Sequence, residues 1–297
     1  MSNLVLSEQA LNAELERITS FIKAEVREFK VVMGLSGGLD SDVAARLCQR
    51  AVGSERLKCV TVLQEHFEPK YIHNAHNLAD DLGVRLIEIP FGPFPQKLIS
   101  ILSECDPEIG FKSEPIALDV VRGKNAIRTF IYAIYAEHGY LVVGTTNKTE
   151  LELGYFLPLG DHVAHICPII HLYKTQVRQL AEILGTRPEV ISQAPAAGLR
   201  IGDEDLIGIA SWLYNGAPIQ VEKTLDPASI DAIRKIYKEL SFFALDQALI
   251  GINLGWEPIQ IADASKLSVH IVEMLIRLTK EVHSYKRRDF GVSLAKD

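Results

Sequence analysis

Short apolar, β-branched runs at residues 30–35, 57–63, 84–90 and 140–145 punctuate the first half of the chain and carry almost no charge. Such runs suit strands buried on both faces of a sheet. Between them, residues 42–51, 70–82 and 115–138 show helical periodicity, and residues 1–29 predict an N-terminal amphipathic helix with Glu14, Glu16 and Arg17 inside it. Strand alternating with helix predicts an α/β fold, a doubly wound parallel sheet whose ligands bind beyond the carboxyl ends of the strands. Past Gly208 the pattern changes: residues 227–249 and 264–285 predict helices, with WLYNGAP and LGWEP as loops before and between them. The expected organisation is the helix at 1–29, a sheet domain at 30–210 and a helical C-terminal region at 211–297 packed on the same domain. Phe242, Phe243, Leu245 and residues 250–252 are apolar enough for either ordinary core or a subunit contact.

A length of 297 residues, 47% of them hydrophobic, supports one large core or two unequal ones. No apolar stretch reaches membrane-spanning length and the N-terminus does not resemble a signal peptide, so a cytoplasmic protein without membrane contact is expected. Cys48, Cys59, Cys105 and Cys167 are scattered with no CxxC pair, which points to reduced, structural thiols. A net charge of -7, with Lys286-Arg287-Arg288 as the one basic run, argues against nucleic acid and for a small-molecule substrate.

The chemistry begins at Val31, where VVMGLSGGLDS runs from a strand through a glycine turn into a helix. Adjacent glycines let the backbone approach an anion, and the first N–H groups of the helix point back at it. Asp40 would repel a bare phosphate, so its presence implies a divalent cation bridging carboxylate and phosphate oxygens. No lysine follows the glycines, which excludes the GxxxxGK[ST] loop. The residues Ser36, Gly37, Gly38, Leu39, Asp40 and Ser41 instead resemble the SGGxDS signature of the N-type ATP pyrophosphatases, which cleave ATP between the α and β phosphates and adenylate a substrate.

Residues 144–185 narrow the resemblance to the ammonia-dependent NAD synthetases. Gly144-Thr145 at a strand end, Glu150 five residues past the threonine, Gly154-Tyr155-Phe156 leading to Gly160-Asp161, and LYKTQVR at residues 172–178 all follow that family's pattern. DEDLIGI at 203–209 matches its DExxxGI, and Lys286-Arg287 resembles its basic tail. The resemblance implies that ATP is bound by Gly34, Ser36, Gly37, Gly38, Leu39, Asp40, Ser41, Thr145 and Lys174, and that Asp40 and Glu150 hold Mg²⁺. Lys174 would meet the β and γ phosphates at a helix start, its charge adding to unpaired N–H groups, and Asp40 and Lys174 would carry the catalysis. Arg128, Asp161, His165 and Lys286 would bind the acyl substrate, deamido-NAD by default. Ammonia would then displace AMP from the acyl adenylate. The resemblance also implies a homodimer with the acyl substrate bound across its interface, and a separate glutaminase is an open source of nitrogen.

Departures from the family cluster on the acyl-substrate side. Pro158 stands where many members have lysine, His165 replaces an aspartate, Ala126 replaces the first arginine of NIxARxR while Arg128 matches the second, and Ala196 replaces a hydroxyl residue that serves ATP. Two residues before Asp203 are missing, and Tyr285 replaces the histidine of the tail. Two alternatives therefore stand beside NAD synthesis: a paralogue that adenylates a different carboxylate, and a non-catalytic nucleotide-binding regulator, although retention of both Asp40 and Glu150 speaks against the latter. A nucleic-acid-modifying pyrophosphatase predicts a basic face and often catalytic cysteines, and the sequence shows neither. His162, His165, His171 and Cys167 fit no zinc spacing, and His73 and His76 beside Asp80 suggest a solvated helix face.

Overall fold

In the computed structural model, which describes residues 4–63, 68–113, 118–157, 160–161, 163–194, 204–216 and 226–286, the chain enters through α1 (Glu8–Val26). Its Leu11, Leu15, Ile18, Ile22 and Val26 recur at helical spacing and are all buried. Then follow β1 (Lys30–Gly34), α2 (Leu39–Val52), β2 (Leu57–Leu63), α3 (Pro69–Leu82) and β3 (Leu86–Pro90), the helices acting as crossovers between parallel strands. Helices α4 (Phe94–Cys105) and α5 (Leu118–Glu137) lead into β4 (Tyr140–Val143), which pairs parallel with β1. The sheet order is β3-β2-β1-β4.

Successive residues of β1 face opposite layers, as the pleat requires. Val31 and Met33 pack with Leu57 and Cys59 against α1, α2 and α3, whereas Val32 packs with Val60 and Val142 against Tyr132, Tyr135 and Ala136 of α5. The chain therefore leaves β1 toward one face and reaches β4 from the other. At such a switch point the strand ends open a crevice.

Beyond β4 come α6 (Lys148–Leu153), α7 (Lys174–Ile183), α8 (Pro188–Ser192), α9 (Asp205–Asn215), α10 (Pro227–Glu239), α11 (Phe242–Asn253), α12 (Pro258–Ser265) and α13 (Val269–Lys286). A second core joins Leu153 of α6 and Ile209 and Leu213 of α9 to Leu245, Leu249, Ile261, Val272 and Leu275. Helix α7 packs against α2 on one side and α11 on the other, so it lies where the two cores meet. Among the described residues no helix is long and apolar enough to cross a membrane.

Several boundaries differ from the sequence pattern for local reasons. The third strand starts at Leu86 because Gly83 and Val84 donate back to Asp80 and Ala79 and close the end of α3. The fourth ends at Val143, after which the Gly144 N–H turns to Ile166 O. WLYNGAP is no loop over its first four residues: Trp212 to Asn215 complete α9, whose Ile209, Ala210 and Leu213 are buried. The expected helix at 227–249 is two helices, divided where Leu240 is extended and the Ser241 hydroxyl accepts from Ala244 N. The one expected from residue 264 begins at Val269, because Lys266 takes a left-handed conformation that ends α12. Helix α4 was not anticipated. Of the apolar residues 242–252, Leu245, Leu249 and Ile250 are core.

Candidate active site

The turn after β1 is knitted by its own hydroxyls. Ser41 Oγ donates to Gly38 O at 2.9 Å and accepts from Ser36 N at 3.3 Å, while Ser36 Oγ accepts from Gly38 N at 3.2 Å. Behind it, Gly37 O accepts from Asn74 Nδ2 of α3 at 3.2 Å and from Gln193 Nε2 at 3.0 Å. Gly37 has φ +74°, and a Cβ there would stand 2.0 Å from the Tyr71 carbonyl oxygen, so only glycine fits. Helix α2 starts with Gly38 as N-cap and no side-chain cap among the described residues. Its positive end faces the crevice open to an anion.

Asp40, in the first turn of α2, meets two residues from beyond β4. Its Oδ2 is ion-paired with Lys174 Nζ, and its Oδ1 accepts from Asn147 Nδ2 at 3.1 Å. Asn147 is the N-cap of α6 and forms a reciprocal box with Glu150: Glu150 N donates to Asn147 Oδ1 at 3.0 Å and Asn147 N donates to Glu150 Oε2 at 3.2 Å. Glu150 is thus both a capping residue and a wall of the crevice, which it shares with Asp40 and Lys174. Burial, then the charge of Asp40, pushes the Glu150 carboxyl well above its ordinary range, with Lys174 opposing. Burial would lower the Lys174 pKa, but Asp40, Glu150 and Asp205 raise it above that of a free lysine, so the ammonium persists at neutral pH.

Two mutually repelling carboxylates on a partly buried wall suit a hard divalent cation. Mg²⁺ needs only one or two protein carboxylates when phosphate oxygens and water complete its shell. Among the described residues no set of three His, Cys, Asp or Glu side chains could hold a metal alone. Asp40 and Glu150 therefore fit an ion that arrives with a phosphate ligand.

Across the crevice, Arg128 of α5 reaches Asp161 Oδ1 at 3.0 Å and also meets Asn125 Oδ1. Asp161 Oδ2 in turn accepts from Leu157 N at 3.0 Å. A second, more apolar cavity adjoins at the strand ends, lined by Gly34, Val60, Val62, Tyr132 and Val142 and sharing Ser36, Thr145, Arg128 and Asp161 with the first.

Most of the residues singled out from the sequence converge here: Gly34, Ser36, Gly38, Leu39, Asp40, Ser41, Arg128, Thr145, Glu150, Asp161 and Lys174 line one cavity or the other. His165 does not. Its Nδ1 accepts from Val142 N at 2.9 Å, and the exposed ring serves the edge of β4. Of its neighbours in the histidine group, His171 has another partner, its Nε2 lying 2.5 Å from Glu14 Oε1. His76 pairs with Glu88 at 2.9 Å on an exposed face. Cys48 and Cys59 are buried, which pushes both thiols up to about 12. Ala126 points to solvent. Pro158, His162, Ala196, Asp203, Arg287 and Arg288 lie outside the described residues, as do the side chains of Tyr285 and Lys286.

The start of α7 differs from the expectation of unpaired N–H groups. Lys174 N donates to Thr149 Oγ1 at 2.9 Å, Thr175 N to Asp246 Oδ2 at 2.9 Å, and Gln176 N to Tyr173 O at 2.8 Å. Protein acceptors fill that helix end, and Lys174 offers the crevice its ammonium alone. Sequence reasoning gave no role to Asn147, Tyr155 or Gln193, which line or brace the crevice, nor to Asp246. Asn147 carried a signal, an Asn three residues before a Glu. So did Asp246, a lone carboxylate in the apolar run FFALDQALIGI. The Tyr155 side chain lies close beside the glycine of DEDLIGI, where a Cβ at Gly208 would stand 2.2 Å from the Tyr155 hydroxyl.

Residues 14–212 match the family model described as NAD synthase. The NH(3)-dependent NAD(+) synthetase of Thermoplasma acidophilum is 33% identical over 199 residues, 66% of this chain and 79% of the relative. That of Methanocaldococcus jannaschii is 29% identical over 242 residues, 78% and 83% of the two chains. Among solved structures, NMN synthetase from Francisella tularensis superposes with a TM-score of 0.70 at 18% identity, covering 98% of this chain and 100% of the other. NH3-dependent NAD synthetase from Campylobacter jejuni does so at 0.67 and 20% identity over the same shares. Both likenesses extend over the helical C-terminal region and speak to the fold.

Proposed function

The chain belongs to the NAD synthase family, and from that premise we propose that it adenylates the carboxylate of deamido-NAD with ATP and amidates the product with ammonia. It is a ligase that forms a C–N bond at the expense of ATP. The linked set Lys174–Asp40–Asn147–Glu150, facing the uncapped start of α2 at the switch point of the sheet, carries the proposal.

The apolar cavity between Val60, Val62 and Tyr132 suits the adenine base, and the shared wall at Ser36 and Thr145 suits the ribose and α-phosphate. The β and γ phosphates then extend over the first turn of α2 toward Lys174. Asp40 and Glu150 would hold Mg²⁺, which neutralises charge on the triphosphate and favours departure of pyrophosphate. A substrate carboxylate oxygen bonds to the α-phosphorus as the bond to the β-phosphate oxygen breaks. The Lys174 ammonium meets the charge that develops on the leaving pyrophosphate, and loss of one such stabiliser typically costs about 3 kcal/mol. Ammonia next attacks the acyl carbonyl, AMP leaves with the bonding pair, and the nitrogen sheds a proton to give the amide. Arg128, with Asp161 bracing it, suits the acyl substrate, and Lys286 remains a candidate on the sequence resemblance alone.

A second copy of the chain fits the exposed face of α4 and α5, where Phe94, Ile101 and Phe130 stand in solvent beside the crevice-lining helix. This apolar surface, on helices remote from residues 242–252, supports a homodimer.

The deciding experiment supplies the purified protein with ATP, Mg²⁺, ammonia and deamido-NAD and measures AMP, pyrophosphate and NAD together. Equal amounts of all three are expected. AMP and pyrophosphate released only with some other carboxylate would instead assign the paralogue activity. The commitment of Arg128 to Asp161 and of His165 to the β4 edge supports testing that second reading. ATP binding without release of pyrophosphate from any carboxylate would leave a nucleotide-binding regulator.

A further inference from the structure

Helix α11 carries one carboxylate inside an otherwise apolar run, and Asp246 is 0% exposed. The packing of the helical core alone gives no reason for it, since a buried carboxylate is costly wherever an apolar side chain would fill the space. Its partners supply the reason. Asp246 Oδ1 accepts from the Thr149 hydroxyl of α6 at 2.5 Å, and Oδ2 accepts from the Thr175 backbone N–H at 2.9 Å and the Thr175 hydroxyl at 2.6 Å, both of α7. Thr149 Oγ1 in turn accepts from the Lys174 backbone N–H at 2.9 Å. One carboxylate therefore fastens the residue just before Glu150 and the residue just after Lys174. One turn earlier on α11, the Phe242 ring lies 5.7 Å from the Lys174 ammonium. Two residues of the helical region thus bear on the same lysine, one at its backbone and one at its charge.

We propose that Asp246 is a positioning residue: by holding Thr149 and Thr175 it fixes the Lys174 ammonium relative to Asp40 and Glu150, which makes the helical region a working part of the pyrophosphate-releasing site. The inference rests on the adenylation reading for its kinetic consequence, though not for its structural one. Asp246 touches neither the crevice wall nor, on this geometry, any substrate atom. It acts through Lys174.

The test uses the full chain with Asp246→Asn, which keeps the shape and removes the charge. Folding is followed by circular dichroism, pyrophosphate release is measured over a range of ATP concentrations, and acetylation of Lys174 by limiting acetic anhydride is quantified by peptide mass spectrometry. The expected result is a folded protein whose kcat falls at least about tenfold with the KM for ATP changed less than about threefold, and whose Lys174 is acetylated several times faster than in the parent. In a Lys174→Met background the same substitution should lower kcat no further, because a residue acting through the lysine has nothing left to position. If Asp246→Asn does not fold, Thr175→Val deletes one hydroxyl donor and should move kcat and labelling in the same direction, with Thr175→Ser restoring both. A folded variant with unchanged kcat and unchanged Lys174 acetylation would overturn the proposal, as would an equal loss of kcat with and without Lys174. Acetylation needs neither ATP nor an acyl acceptor, so it judges the role of Asp246 even if the parent releases no pyrophosphate. That last outcome would overturn the proposed function instead.

Discussion

Asp40 lies in the first turn of a helix at a strand end, a place where a charged side chain is usually free to change. Here it is also the ion-pair partner of Lys174, which is 3% exposed. Asp40→Ala should abolish pyrophosphate release and also lower the stability of the folded protein by about 3 kcal/mol, because removal of one partner strands a buried ammonium. Denaturant titration with the release assay checks both halves. A loss of activity with no change in the midpoint would show that the lysine finds another counter-charge. Gly37→Ala combines a left-handed φ with a Cβ 2.0 Å from a carbonyl oxygen, and should destabilise by at least about 2 kcal/mol. Full stability in that variant would mean that the turn can shift away from Tyr71. The residues of this turn were legible because their logic is local: a strand, two glycines and a carboxylate within a few positions. The contact between Asn147 and Asp40 was not, because it spans 107 residues of sequence and only the capping signal of Asn147 is local.

At the scale of elements, α6 and α7 owe their places to caps rather than to length. Asn147→Ala removes the box that starts the six-residue α6 and should cost about 1 kcal/mol. It should also weaken Mg²⁺-ATP binding, measurable by calorimetry, since Glu150 is aimed by the same box. Burial pushes the Asp246 carboxyl up to about 6 from 3.8, against the pull of its hydrogen bonds to Thr149 and Thr175 and of the nearby Lys174 charge. A carboxyl whose pKa is raised on folding favours the folded state most below pH 4, and that contribution is lost as pH rises through 6. Going from pH 4 to pH 7, the parent should therefore lose about 2 kcal/mol relative to Asp246→Asn, which has no such group to titrate. Parallel stability curves for the two proteins would show that the carboxylate is not held as described. Strands and their crossovers were readable as elements because burial on both faces leaves runs free of charge. The helical region was misdivided because Ser241 and Lys266 end helices by caps and a left-handed turn that periodicity does not register.

For the whole molecule, α4 and α5 carry exposed apolar side chains, with Phe130 66% exposed, whereas the run at 242–252 exposes Phe243 and buries Leu245, Leu249 and Ile250. Phe130→Asp should convert a dimer into a monomer by light scattering at micromolar concentration; a parent that is already monomeric would remove the dimer from the proposal. The two cores meet at α7, which packs on α2 of the sheet and α11 of the helical region. By itself the sequence determined the parallel α/β sheet, the glycine turn at residues 36–41 and the family, and it offered Asp40, Glu150 and Lys174 as candidates, because each depends on neighbours in the chain. Only the tertiary structure decided that the first N–H groups of α7 are filled, that His165 serves the edge of β4, that Arg128 is braced by Asp161, and that a carboxylate from the helical region stands behind Lys174. Those facts depend on side chains brought together from distant parts of the chain. Which of several polar groups wins a given hydrogen bond is settled by packing, and periodicity carries no record of it.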